Sequence, residues 1–408
     1  MNRLTRTALC AVLFLGSSDS AGAAFSCGTV VKSGDASPNG PFPFGPRIRP
    51  DLAINDGGDA LVVARPLASR DTLYLFPAGA APEAIATGDG PAPGGLTFKS
   101  SKAFAELSIN NAGDIAFRGR TTDRKRTLFF RPAGGSLRKL VSRGENSPGG
   151  GRFREFTEIT RLTEAGQIAF LAEVRNGPSG AFVYDTNDDS LTPVALDGDT
   201  LSGRELCTVR HVGLGDLGTI VVIADTRVDC AAGSKTFATV LTSNTVVALE
   251  GDASPAAGTV YREFRGEPKI DEAGNIAFLA ELSGPKDREA LVIWSPPGAS
   301  VVDVTELDPT PEIEGIFGSF HDFHLTSAGA FVNAKLKGTG KTTKAGVLSA
   351  ATAAILDSSP PPADAFGPTA KYKSFPRRHA MSRDGHLAIL ARVKDEGDKS
   401  RAVIRCAP

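Results

Sequence analysis

The sequence predicts an all-β protein: a seven-bladed β-propeller of four-stranded antiparallel blades, its ring closed by the N-terminal strand joining the C-terminal blade. Three observations predict it. A hairpin motif recurs seven times at a nearly constant spacing. Further strand-like runs fill the intervals, with no helical stretch. The last repeat stops one strand short, while a spare strand stands at the start of the chain.

The hairpin comes first, because it sets the period. It reads AINDGGDALVV, INNAGDIAF, LTEAGQIAF, LGDLGTIVV, IDEAGNIAF, LTSAGAFVN and MSRDGHLAI. Its glycines are Gly58, Gly113, Gly166, Gly218, Gly274, Gly329 and Gly385, at intervals of 55, 53, 52, 56, 55 and 56 residues. Three residues before each glycine stands Asn55, Asn110, Thr163, Gly215, Asp271, Thr326 or Ser382. Asn, Asp, Ser or Thr there caps a turn with its side chain, and the glycine accepts a positive φ. The pattern predicts a type I turn with a bulge. The apolar run that follows, such as Ile115-Ala116-Phe117, is buried strand material.

Each interval holds two more strand-like runs. TLFFRP (127–132) and LRKLVS (137–142) follow the second hairpin; GAFVYD (180–185) and LTPVAL (191–196) follow the third. Each repeat is thus four antiparallel strands, A to D, the size of a propeller blade.

The ends supply the closure. RAVIRC (401–406) matches a strand C, after which the chain stops, and CGTVVKSGD (27–35) matches the D-strand pattern LRKLVSRGE (137–145). In that alignment Cys406 and Cys27 take the places of Pro132 and Leu137, close across a C–D turn. A Cys27–Cys406 bond would lock the ring and remove its open edge. Cys207 on strand A and Cys230 just past strand B of blade 4 are the natural second pair.

Composition bounds the rest. The chain has 408 residues, 41% hydrophobic and 22% charged, with 45 Gly and 27 Pro. A net charge of −1 argues against nucleic-acid binding, which needs a basic face. Residues 1–23 read as a signal peptide: Arg3 and Arg6, then the apolar run ALCAVLFLG (8–16), then Ala21-Gly22-Ala23 as a cleavage pattern. Residues 24–408 form the single propeller domain. That apolar run is too short to span a bilayer, and no later run approaches the ~18 residues required, so no membrane insertion is expected after cleavage. Cys10 lies inside the apolar run. Its removal leaves Cys27, Cys207, Cys230 and Cys406, an even set for an oxidising compartment, periplasmic or extracellular. The competing reading is free buried thiols. No Cys/His spacing suggests structural zinc.

The hairpins also carry a resemblance. INNAGDIAF and IDEAGNIAF resemble the repeat of bacterial exported proteins named for an NxxGxxAF tandem motif, and the other copies depart from it at one or more positions. MSRDGHLAI is similar to the SPDG hairpins of TolB-type and WD40-like propellers. The resemblance covers essentially the mature chain and implies a propeller fold but no activity. Members often end in a surface-anchoring tail; this chain ends at Cys406-Ala407-Pro408, which implies release.

A second repeated motif lies in the connectors leaving strand D: SGDASP, TGDGPAP, RGENSP, DGDTLS, EGDASP, ELDPTP and LDSSPP. Each holds an acid: Asp35, Asp89, Glu145, Asp199, Asp252, Asp308 or Asp357. Five follow a glycine; Leu307 and Leu356 replace it in the last two. D–A connectors of a propeller share one face, so the seven carboxylates are candidates for a ligand-binding ring there. The simpler reading is that each accepts turn N–H groups. Basic B–C loops on the same face (119–126, 335–344 and 393–400) suggest a solvated surface or one for a polyanionic or glycan-like partner.

Other motifs carry less. GTGKTT (338–343) echoes a phosphate-binding loop, but Lys335 stands where GxxxxGK[ST] needs its first glycine. DTNDDS (185–190) lacks the sixth-position glycine and twelfth-position glutamate of a calcium loop. His211, His321, His324 and His379 fall on or near innermost A strands, where alternation would point some into the channel. FHDFH, with His321, Asp322 and His324, is the best local cluster for metal or proton chemistry. No GxSxG or HExxH appears, and neither catalytic residues nor a cofactor are assigned.

The function expected is an exported, non-catalytic, monomeric propeller that binds a protein or glycan on its connector face. The alternative is a hydrolase or lyase acting at the channel mouth. A converging acid–His–Arg cluster on the A strands would favour the enzyme; an apolar channel with polarity only at its rim would favour the platform.

Overall fold

The computed structural model describes residues 25–408 apart from 39, 124, 228–236, 285–286, 312–314, 328, 339–344, 351–352, 358, 376–378 and 396–397. The proposed signal peptide (1–23) lies outside the described residues.

Seven antiparallel sheets follow one another around a ring. Blade 2 shows the plan: A (Phe104–Ile109), B (Ile115–Arg120), C (Arg126–Arg131) and D (Arg138–Ser142), each paired with the next. The other A strands, innermost in their blades, are Phe44–Ile54, Arg152–Ile159, Arg204–Leu214, Val260–Ile270 and Ile316–Thr326, with blade 7 split into Lys371–Ser374 and Ala380–Met381. Blade 7 continues with Leu387–Asp395 and Asp398–Ala407 and takes Ser26–Lys32 from the N-terminus as its outer strand. Cys27 stands directly opposite Cys406 in that pairing, and the two are disulfide-bonded across 379 residues of sequence. Cys207 is also disulfide-bonded; Cys230, its expected partner, lies outside the described residues.

The B strands explain how blades stack. In Ile115-Ala116-Phe117, alternation sends Ile115 and Phe117 into the layer shared with blade 1 and Ala116 into the layer shared with blade 3. Phe117 stacks on Phe129 at 5.5 Å, with Phe98 and Phe104 around them. Ala116, on the other side, leaves room for Phe153 and Phe156. Ile168, Ala169 and Phe170 repeat the arrangement one blade on, as do Ile276, Ala277 and Phe278. A large side chain toward one neighbour and a methyl group toward the other lets each sheet sit closely on the next. The result is one apolar layer per blade interface, the seam between blades 7 and 1 included (Leu390 and Val403 against Ile48 and Val62).

The hairpins follow the sequence reading. Glycines 58, 113, 166, 218, 274 and 385 have φ between 77° and 89°. Asp114 N–H donates to Asn110 Oδ1 at 2.8 Å, and Gln167, Asn275 and His386 N–H groups donate in the same way to Thr163, Asp271 and Ser382. Blade 6 departs: Gly329 sits at 121° and Thr326 donates its hydroxyl to the Gly329 carbonyl.

Two consequences are testable. Replacing Cys27 and Cys406 together by Ser opens a loop of nearly the whole chain and is expected to cost about 5 kcal/mol, read as a lower urea midpoint. Leu307 holds a left-handed φ of 75° at a connector position where glycines 34, 144, 198 and 251 stand at 91–99°. It is 43% exposed, so little burial opposes relief of that strain. Leu307→Gly is expected to stabilise the fold by about 0.5–1 kcal/mol, measured as a raised melting temperature.

Candidate functional site: the channel and its open face

The A–B hairpins meet at one end of the channel and close it. The residue after each cap is Asp56, Asn111, Glu164, Asp216, Glu272, Ser327 or Arg383. Among the described residues, hydrogen bonds at these tips join five of the seven pairs of neighbouring blades. Asp56 N–H donates to Asn111 Oδ1 at 2.9 Å, Asn111 N–H to the Glu164 carboxylate at 3.0 Å, and Glu164 N–H to Asp216 Oδ1 at 2.9 Å. Ser327 N–H donates to the Arg383 carbonyl at 2.9 Å, and Asp384 N–H returns to Asp56 Oδ1 at 2.9 Å. Beneath them, Asn55 Nδ2 donates to the Asn110 carbonyl at 3.2 Å and Asn110 Nδ2 to the Thr163 carbonyl at 3.3 Å.

Arg383 occupies the middle of this ring. Its guanidinium faces Glu164 (3.1 Å), Asp216 (3.4 Å), Asp56 (4.0 Å) and Glu272, and its side chain is 13% exposed. Arg161 adds a second cation at 3.4 Å from Glu164. Burial pushes the Asp56 carboxyl up, but the Asp384 N–H, the Asn111 and Ser382 side chains and the charge of Arg161 outweigh it, so Asp56 titrates below the ordinary aspartate range. In the sequence Arg383 is one position of a hairpin, and the signal that marks it is one cation where other repeats carry acids.

Above the plug the channel is polar. Its wall is made by A strands whose pairing slips in mid-strand: between Ala105 and Ser108, Phe156 and Glu158, Val209 and His211, Arg265 and Lys269, and Phe320 and Asp322. Such bulges re-aim side chains that strict alternation would send elsewhere. A cavity of about 360 Å3 is lined by Asp51, Glu106, Glu158, His211, Glu267, Lys269, His321, Asp322, His324 and His379. A narrower space of about 170 Å3 continues toward the plug.

Within the 360 Å3 cavity, Lys269 pairs with Glu267 at 2.7 Å, and Glu158 holds His211 Nδ1 at 2.7 Å and the Val212 N–H at 3.1 Å. Burial raises the Glu267 carboxyl against the pull of Lys269; Lys269 is raised by Glu267 and Asp322 in spite of its own burial. His324 and His379 pack edge to face with ring centres 4.6 Å apart. Burial lowers both imidazoles, His324 well below its ordinary value with the charges of His379 and Lys269 adding to it, and His379 against the opposing charge of Asp322. The histidines His211, His321, His324 and His379 therefore share one cavity.

The seven connector acids sit elsewhere: none lines either channel space. Four fold back on their own strand: Asp35 accepts the Lys32 N–H at 2.8 Å, Glu145 that of Ser142 at 2.9 Å, Asp199 that of Leu196 at 2.8 Å and Asp308 that of Thr305 at 2.6 Å. Asp89 pairs with Arg70 at 2.5 Å. Asp252 bonds its backbone N–H to the Leu249 carbonyl, and Asp357 follows the outer strand of blade 6, which ends at Leu356. In DTNDDS, Asp185 caps the turn at Asn187 and Asp189 binds Tyr184 Oη at 2.6 Å. All of 338–343 except Gly338 lies outside the described residues.

The connector face does carry a cleft, of about 790 Å3, where the end of strand D of blade 2 passes into blade 3. Arg143, Arg152, Arg154 and Arg175 line it with one acid, Glu173. Arg154 stands 3.6 Å from Glu173. Among the described residues, Arg143, Arg152 and Arg175 form no ion pair.

Comparison with known proteins gives the family. The model of a family of unknown function, DUF7453, matches residues 83–403. No curated protein matches. Among solved structures, TolB from Acinetobacter baumannii is similar at 15% identity and TM-score 0.35, covering 62% of this chain and 52% of that one. The β-propeller domain of the trilobed protease from Pyrococcus furiosus is similar at 10% identity and TM-score 0.47, covering 86% and 96%. The SapL1 lectin, solved with alpha methyl fucoside, is similar at 12% identity and TM-score 0.32, covering 74% and 91%.

The plug yields a prediction. Arg383→Met leaves Asp56, Glu164, Asp216 and Glu272 crowded without their central cation, at an expected cost of about 2–4 kcal/mol near neutral pH. Crowded carboxylates titrate above their unfolded values, so the loss is full at high pH and shrinks as pH falls toward about 4. Urea denaturation of both proteins at several pH values checks this.

Proposed function

Since the chain belongs to DUF7453, a family whose description names no activity, we propose a function from its own surface: an exported binding platform that takes an anionic glycan on its connector face. The observation that carries this reading is the cleft of Arg143, Arg152, Arg154 and Arg175, four guanidinium groups against one carboxylate in a protein of net charge −1. Guanidinium forks suit carboxylate and sulfate groups, which they meet with two parallel hydrogen bonds. A rigid ring with its far end plugged presents such a cleft without rearrangement, which lowers the cost of binding.

Export is part of the proposal and rests on the apolar N-terminal run together with the Cys27–Cys406 bond, which belongs in an oxidising compartment. The NxxGxxAF resemblance of INNAGDIAF and IDEAGNIAF fits the same reading. Among the described residues no helix is long and apolar enough to cross a membrane. The connector acids act in this account as turn formers that fix the path into each next blade, and the single domain is the span 24–408.

The alternative, a hydrolase or lyase at the channel mouth, has one observation in its favour: an acid–His cluster converges inside the channel, with Lys269 and not the arginine that the enzyme reading asked for. No nucleophile with a positioned base accompanies it among the described residues.

Immobilised polygalacturonate and dextran separate the charged from the neutral partner. Binding of the mature protein is expected on polygalacturonate only, to weaken with added salt, and to drop about tenfold or more in Arg152→Ala/Arg175→Ala. Equal retention on dextran, or no effect of the double substitution, would count against the proposal. Asp89→Ala/Asp199→Ala/Asp252→Ala is expected to bind as wild type.

A further inference from the structure

The channel cluster has a feature that hydrogen bonding within the protein does not explain. His379 is 5% exposed, and among the described residues neither of its ring nitrogens has a hydrogen-bond partner. A neutral imidazole has one N–H donor and one lone-pair acceptor, and leaving both nitrogens bare in a buried site is costly. The surroundings explain what would take the lone pair of one of them. Asp322, His324 and His379 bring one potential ligand atom each to within 4.8 Å of one another. Asp322 Oδ2 lies 4.0 Å from His324 Nε2, too far for a hydrogen bond, while that nitrogen rests 3.3 Å from the His379 carbonyl, a contact it gives up if it is the ligand atom.

We propose that Asp322, His324 and His379 bind a divalent transition-metal ion of the zinc class, with the remaining coordination position open to the channel. Two imidazoles and one carboxylate are a borderline donor set, suited to zinc, iron, cobalt or nickel and not to calcium or magnesium, which want oxygen shells. Tetrahedral bonds of about 2.0–2.2 Å place ligand atoms about 3.3 Å apart, so the side chains close by roughly an ångström on loading. The charge around the site allows a cation. Asp322, Glu267 and Glu158 oppose Lys269 and Arg161, and Lys269 is already paired with Glu267. The Asp322 position exists because the A strand of blade 6 slips between Phe320 and Asp322, turning the carboxylate toward the next blade's histidine.

The test uses the whole mature protein, stripped with EDTA and dialysed against ZnCl2. One zinc per chain is expected, retained after passage over a desalting column, and lost in His379→Ala and in Asp322→Asn. His211→Asn, in the same cavity but held by Glu158, is expected to keep it. Zinc retained in both site variants, or absent from wild type, would overturn the assignment. X-ray absorption at the zinc edge of loaded wild type needs no variant: imidazole back-scattering with zinc–ligand distances of about 2.0–2.1 Å is expected, and an all-oxygen set of ligands without imidazole would refute the site.

Discussion

Everything in this molecule depends on the hydrogen-bonded contact between one hairpin and the next. Asn110 shows why. Its Oδ1 accepts the Asp114 N–H and shapes its own turn, while its Nδ2 reaches the Thr163 carbonyl in the following blade. Asn55 does the same toward Asn110. Only an amide has both an acceptor and a donor at that length, so asparagine makes the turn and the joint together. Where Thr163, Asp271 or Ser382 stands instead, the turn is capped but that particular joint has no donor of the same reach. The next position then links the tips, and Arg383 neutralises the acids that gather there.

The seam between the first and last blades repeats that logic with added fastening. Asp384 N–H reaches Asp56, Arg405 donates to the Gly58 carbonyl at 2.9 Å and Arg401 to the Ile48 carbonyl at 3.0 Å. The Cys27–Cys406 bond lies on the outer strands of the same blade. A ring tied at both its inner and outer edges holds seven A strands in place around the channel. The bulges in those strands can then aim Glu158, His211, Asp322 and their neighbours inward without loosening the sheets.

Periodicity made the architecture legible in the sequence. Gly113 and its counterparts marked the turns, Ile-Ala-Phe marked the buried strand, and the register of Cys27 against Cys406 gave the closure. The channel was harder to read. His324 and His379 lie 55 residues apart, and only the placement of blade 6 beside blade 7 joins them. Asp322 and Glu158 owe their direction to strand slips, which leave no trace in a two-residue alternation. The arginine cleft draws on three segments of blades 2 and 3, none of which is notably basic by itself. Arg383 was hidden for a different reason: its position looked like one variable residue of a turn, and its meaning comes from the four acids that face it in space.

Native-state hydrogen exchange on the tip amides tests the hairpin ring most directly. The N–H groups of Asp56, Asn111, Glu164 and Asp384 sit in turns that would exchange freely if each hairpin stood alone. The inter-blade bonds predict slow exchange at all four, with protection lost together when Arg383 is replaced. Exchange at the rate of an open turn in the wild-type protein would contradict the account.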